Sequence, residues 1–188
     1  MCDVSAADLR SHIRARLARG AAMTDLKTLY EEDTVAWSEN QAAALRAAAR
    51  GGSNQALDWE NLAEEIEDLG KSIKRGICAQ LRHIIEHLIK LEYSPAAKPR
   101  QGWRESIGAA RAAIEALLEE NPSLNAQVDV FIRSEIGRGA KLAIASLEGR
   151  GELDDAFRRA LRTSPHHEIF HYTPDQILSD WFPPEPKA

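Results

Sequence analysis

The chain has 188 residues, enough for one domain with a buried core and too few to require two. A formal net charge of -5 argues against a protein built mainly to grip nucleic acid, because neutralising phosphates needs concentrated Lys and Arg. The two cysteines, Cys2 and Cys78, cannot make a disulfide framework, no apolar run nears the about 20 residues that span a bilayer, and the Met-Cys-Asp-Val start lacks an apolar signal segment. Reduced thiols, no membrane and a cytoplasmic location are expected.

Residues 1–22 read as an amphipathic extension. Within it, 5–19 predict a short helix with Leu9, Ile13 and Leu17 on one stripe, flanked by Arg10, Arg14, Arg16 and Arg19. After Gly20, a second helix is predicted from Thr24 to about Ala49, ended by Gly51-Gly52-Ser53-Asn54.

The stretch Leu57–Tyr93 organises the rest. It predicts one helix roughly 50 Å long at about 1.5 Å per residue. Asp58 can cap it, Leu57 and Leu62 can staple its entry, and Ser94-Pro95 ends it, since the residue before proline is pushed out of the α region. Its first half carries a narrow stripe: Leu62, Ile66, Leu69, Ile73 and Ile77. In its second half Ile77, Leu81, Ile84, Ile85, Leu88, Ile89 and Leu91 cover an arc of about 160°. So wide an arc needs two or more partners, which places residues 77–91 at the centre of the domain. The first half should project its acids outward.

Downstream, Ser94–Gly102 reads as a basic loop and Trp103–Glu119 as a helix. Asn121-Pro122 predicts a capped helix through about Leu147, stopped by Gly149 and Gly151. Residues 152–162 predict another short helix. Thr173-Pro174-Asp175-Gln176 is a capping signal for one or two turns with Ile177 and Leu178, and Trp181 and Phe182 are expected to anchor the tail. No run alternates with period two, so no strand is expected.

Three clusters bear on chemistry. His83 and His87 lie four apart, so both imidazoles fall on one helix face, as a metal pair requires. Glu86 between them does not complete the zinc-protease His-Glu-x-x-His pattern, and the bland reading is a solvated His83 with His87 hydrogen-bonded at the core edge. The run Glu60, Glu64, Glu65, Glu67, Asp68 has no His at i+3 and so no di-metal motif; Glu67 and Lys71 fit a surface ion pair. The acids read as a solvated face or a docking surface. His166, His167 and His171 put three imidazoles within six residues, but on a proline-flanked loop that holds a metal poorly. There is no Gly-rich phosphate loop, no Gly-x-Ser-x-Gly elbow and no Cys-x-x-Cys, so no cofactor is expected. Arg10–Arg19 and Lys98–Arg104 are the basic stretches that nucleic acid would use.

Several blocks together resemble a family. Leu29-Tyr30-Glu31-Glu32-Asp33, Trp37 and Leu57-Asp58-Trp59-Glu60-Asn61-Leu62-Ala63-Glu64-Glu65-Ile66-Glu67-Asp68-Leu69-Gly70 are similar to the bacterial domain of unknown function 29. His87-Leu88-Ile89-Lys90, Trp103-Arg104-Glu105-Ser106-Ile107, Pro122-Ser123-Leu124 and Tyr172-Thr173-Pro174-Asp175-Gln176-Ile177-Leu178 come next, in that family's order. The resemblance spans about Leu26 to Pro183. It implies an all-α domain and no activity. His87 lies in a matching block and His83 does not.

The expectation is a single all-α domain over 23–184 with a 185–188 tail: an irregular bundle of about five or six helices around one long central helix, without a sheet. The leading functional reading is a non-enzymatic interaction or regulatory module, with a protein partner or self-association through Glu60, Glu64, Glu67 and Asp68. The alternative is a metal-dependent enzyme with a bundle-core site involving His87. The sequence speaks neither for nor against a small-molecule ligand.

Overall fold

The structure is a computed structural model that describes residues 26–52, 55–153, 157–159, 161 and 169–185. Residues 1–22, Cys2, His166 and His167 lie outside the described residues. The chain is all-α, and no strand occurs among the described residues. In order come α1 (residues 26–32), α2 (Thr34–Arg50), α3 (Trp59–Tyr93), α4 (Arg100–Glu120), a 3-10 segment (Pro122–Gln127), α5 (Val128–Gly149) and α6 (Pro174–Leu178). Two compact units divide the chain, Met1–Lys71 and Ser72–Ala188, so that α3 begins in one and ends in the other.

In the first unit, the predicted Thr24–Ala49 helix is broken at Asp33. That residue has extended backbone, and its carboxylate accepts from the Ala36 N–H at 2.7 Å, which caps α2. Cβ-poor surfaces then bring α2 and α3 close together. Val35, Ser38 and Ala42 are buried on α2; Ala63 and Gly70 are buried on α3. A Cβ on Gly70 would come within 2.6 Å of Ser38 Oγ, so glycine sets this approach. The two helices run antiparallel: Ser38 meets Gly70, while Arg46 reaches back to Glu60 and Glu67. This corrects the expected stripe on the first half of α3. Ala63 and Gly70 face the partner helix, whereas Leu62 and Leu69 are 40% and 48% exposed.

In the second unit, the wide arc of α3 is fully buried. Ile77, Leu81, Ile84, Ile85, Leu88, Ile89 and Leu91 are all 0% exposed. Helix α4 brings Trp103, Ile107, Ala110 and Ile114; α5 brings Ile132, Ile136, Ala140, Ala143 and Leu147. Gly139 of α5 rides directly on α3, where a Cβ would meet Ile85 Cγ2 at 2.8 Å.

Three boundaries differ from expectation for local reasons. Pro99 occupies the cap position of α4 with near-helical angles, so the helix starts at Arg100 rather than Trp103 and the basic loop is shorter. The Asn121 side chain donates to the Leu117 carbonyl at the end of α4 and caps no helix downstream. The next six residues therefore wind as a 3-10 segment before α5 begins. Helix α5 continues through Gly149 and ends at Gly151, whose φ of 69° permits the two carbonyl-capping bonds Gly151 N–H to Glu148 and Glu152 N–H to Leu147.

Candidate functional site

The acidic half of α3 is less free than its sequence suggests. Arg46 forks between Glu60 (3.1 Å) and Glu67 (2.8 Å), tying α2 to α3. The Arg46 hydrogen bond pulls the Glu67 carboxyl below its usual range, and Glu67 in turn raises the Arg46 guanidinium. Lys71 lies 3.0 Å from Asp68 and 3.6 Å from Glu67. Glu64 and Glu65 are exposed and make no ion pair among the described residues. At 100° per residue, Glu65 lies beside Leu62 and Leu69, with Asp68 and Glu64 beyond it on the same exposed side. This part of the helix presents a leucine edge bordered by carboxylates.

Farther along, in the second unit, α3 assembles a different group. Ligand atoms of His83, Glu86 and His87 all lie within 4.8 Å of one another. The His87 Nδ1 sits 3.0 Å from the His83 carbonyl oxygen. A carbonyl only accepts, so Nδ1 carries the proton and Nε2 keeps its lone pair. Burial, with the Lys90 ammonium next, pushes the His87 imidazole down to about 4, which keeps it neutral at physiological pH. The two rings tilt against each other with centroids 4.1 Å apart. Glu86 Oε1 accepts from Lys90 Nζ at 2.7 Å, and that ammonium also lies 5.5 Å from the centroid of the Trp103 ring.

A family model for the domain of unknown function DUF29 matches residues 29–182. The chain belongs to this family. A crystal structure of an alpha-helical protein of unknown function from Rhodospirillum rubrum is similar over 79% of this chain and 88% of that one, at 28% identity and a TM-score of 0.56. No curated protein matches the chain. The family description carries no activity, so the chemistry of this DUF29 chain is read from its own side chains.

Of the predicted site residues, the structure brings His83 and His87 together and adds Glu86. His171 is exposed, apart from that cluster. The sequence signal for the triad is the reverse of the forward His-Glu-x-x-His pattern. His83-Ile84-Ile85-Glu86-His87 is the inverted pattern His-x-x-Glu-His, whose two imidazoles share a helix face with the acid beside them.

Sequence reading also missed three charged groups of this DUF29 chain. Glu135 is completely buried on α5, between Arg82 at 2.7 Å and Arg138 at 2.6 Å. Arg111 is buried on α4 and donates to the carbonyls of Gln176, Ile177 and Trp181 at 2.8 to 2.9 Å, with the Phe182 ring 5.0 Å away. It, rather than Trp181 and Phe182 alone, pins the tail: those two aromatics are half-buried, while Phe170, Tyr172 and Ile177 are buried. The third is Glu92, which accepts a hydrogen bond from the Tyr172 hydroxyl at 2.5 Å; burial, with that acid next, drives the Tyr172 pKa far upward. Beside Arg111 a cleft of about 840 Å³ opens between α4 and the tail, with Ile114, Leu118 and Leu178 among its walls and Glu115, Glu119 and Asp180 among its polar lining. Only a spatial partner turns these residues into a site, and periodicity does not reveal partners.

Among the described residues, no helix is long and apolar enough to cross a membrane.

Proposed function

We propose that this DUF29 chain is a non-enzymatic interaction module, and that the exposed edge of α3 receives a basic amphipathic helix. The observation that carries this reading is the pairing of Leu62 and Leu69, two turns apart and 40% and 48% exposed, with the carboxylates Glu64 and Glu65, unpaired among the described residues, on the same exposed side. Large side chains left in water on a well-formed helix mark a surface that gains by being covered. An apolar stripe bordered by arginines complements it in shape and charge.

The chain's own residues 5–19 have that composition, with Leu9, Ile13 and Leu17 among Arg10, Arg14, Arg16 and Arg19. Two copies meeting edge to edge through α3 would instead oppose like charges. Self-association would then run through the basic segment of one copy and the α3 edge of another. Glu60, Glu67 and Asp68 take part as the outer acidic field, since Arg46 and Lys71 already hold them. The free thiol of Cys78 suits a reducing cytoplasm.

The test uses a fluorescent peptide of residues 1–22 and full-length protein in which L9D, I13D and L17D disable the chain's own segment. The expected result is saturable binding that weakens as salt rises and is lost in the further variant L62D/L69D. E64Q/E65Q should weaken binding severalfold. Absence of binding at low salt, or binding indifferent to L62D/L69D, overturns the reading. Light scattering of the unmodified protein separates contact within a chain from contact between copies.

A further inference from the structure

We propose that His83 and His87, with Glu86 between them, form a binding site for a divalent cation of the zinc class. The site is independent of the docking edge and lies in the second unit. Three arguments converge on it. First, the donors are already gathered: their ligand atoms lie within 4.8 Å of one another. A bound first-row metal with bonds of about 2.0–2.2 Å would hold its ligands about 3.5 Å apart, a closure that side-chain rotation supplies. Second, the tautomer is set for it. The His83 carbonyl accepts a hydrogen bond from the His87 Nδ1–H, leaving the Nε2 lone pair as the metal donor, which is the arrangement metal-bound histidines adopt with a backbone carbonyl behind them. The ring nitrogens of His83 have no hydrogen-bond partner among the described residues. Third, the scaffold is rigid. Ile84, Ile85 and Leu88, interleaved with the donors, are all 0% exposed, so the turn that carries the site is locked into the core.

The donor set selects the ion. Two imidazoles and one carboxylate suit Zn²⁺, Ni²⁺ or Cu²⁺ and not the all-oxygen preference of Ca²⁺ or Mg²⁺. Lys90 donates to Glu86 Oε1, so Oε2 is the oxygen left to bind the ion. Its ammonium opposes a second cation, and three protein donors gather there among the described residues, so the expected dissociation constant is on the order of micromolar rather than that of a closed four-ligand site. Water fills the remaining positions.

The experiment titrates full-length protein, made without a His-tag, with Zn²⁺ against a chromophoric chelator and with Co²⁺ for visible absorption. One ion per chain is expected. His83→Ala should weaken binding at least tenfold and bleach the Co²⁺ spectrum, and Glu86→Gln should weaken it severalfold. His83→Ala is the decisive variant because the side chain is only half-buried and the backbone carbonyl that orients His87 stays in place; an unchanged circular dichroism spectrum verifies the fold. The triple variant H166A/H167A/H171A should bind as the wild type does. No saturable binding by the wild type overturns the site, and so does binding that survives His83→Ala, whether or not the triple variant abolishes it.

Discussion

The two ends of helix α3 are built by different rules. In the Met1–Lys71 unit, small residues set the packing: Ala42 and Ser38 on α2, Ala63 and Gly70 on α3. The larger side chains Leu57, Leu62 and Leu69 remain between 40% and 48% exposed, and the charges that cross between helices do so near water. In the Ser72–Ala188 unit the same helix buries seven Ile and Leu side chains completely, and even charges go inside, as with Glu135 between two arginines. Close packing of small residues gains little apolar burial per residue, while a bulky arc gains much. Apolar burial on α3 is therefore concentrated in the second unit, and the proposed docking edge falls on the sparsely packed first end.

One pair of identical substitutions on one helix breaks or upholds that contrast. Leu88→Ala removes a fully buried side chain and should cost about 3 kcal/mol in urea denaturation. Leu69→Ala removes a half-exposed one and should stay within about 0.5 kcal/mol. Comparable losses at both positions would mean that the leucine edge is part of a core.

Acid should expose the second unit in the same way. The His87 imidazole sits near 4 when folded and near its ordinary 6.5 when unfolded. The unfolded chain therefore takes up the proton first, so stability is complete above about pH 6.5 and falls as the pH drops towards 4. The loss is on the order of 3 kcal/mol over that interval, with no further contribution from His87 below it. The titratable groups acting on it from its own helix are Lys90, His83 and Glu86. Denaturation at pH 7 and pH 4.5 should show the slope in the wild type and a flatter one in His87→Gln; parallel slopes would show that His87 is not the proton acceptor.

Close approach by glycine grades the next effect. Gly139→Ala drives a methyl to within 2.8 Å of Ile85 and 3.0 Å of the Arg82 carbonyl, neither of which can rotate away, and should cost about 1–3 kcal/mol. Gly70→Ala meets a hydroxyl, Ser38 Oγ, which can turn aside by giving up its bond to the Val35 carbonyl. Its loss of thermal stability should be smaller. A Gly70 effect larger than the Gly139 effect would reverse the assignment of the firmer unit.

The difference between the units also explains how much was legible beforehand. Bulky apolar periodicity reports burial directly, so Ile77 through Leu91 could be placed in the core from sequence. Caps with a side-chain signature, Asp58 and the Thr173–Gln176 box, were legible for the same reason: the donor and acceptor are local. In the first unit that logic inverted, because Ala63 and Gly70 carry too little hydrophobicity to signal a packed face and Leu62 and Leu69 carry too much. Partners far apart in sequence left no trace either. Arg46 lies 14 and 21 residues from its acids, Glu135 lies 53 from Arg82, and Arg111 lies 65 to 70 from the carbonyls it holds. The His83–His87 pair was visible as spacing, but Glu86 joined it only once the inverted pattern was set beside the geometry.

The smallest expected effect separates structure from surface at the first end. Arg46 bridges α2 and α3, and its partners Glu60 and Glu67 are 70% and 32% exposed. Ion pairs so open to water are weakened by side-chain entropy and by salt. Arg46→Ala should therefore lower the melting temperature less than Gly139→Ala does, and the difference from wild type should shrink further in high salt. The same substitution removes a positive charge and leaves two carboxylates unpaired on the flank of α3 away from Leu62 and Leu69, so it reaches that edge only through the longer-range acidic field. Binding of the 1–22 peptide should strengthen in Arg46→Ala even as the fold loosens slightly. Those opposite signs in one variant are not produced by a purely structural role. If melting temperature and peptide affinity both fall, Arg46 holds the edge in its binding shape, and the carboxylates it ties down are not held back from the partner.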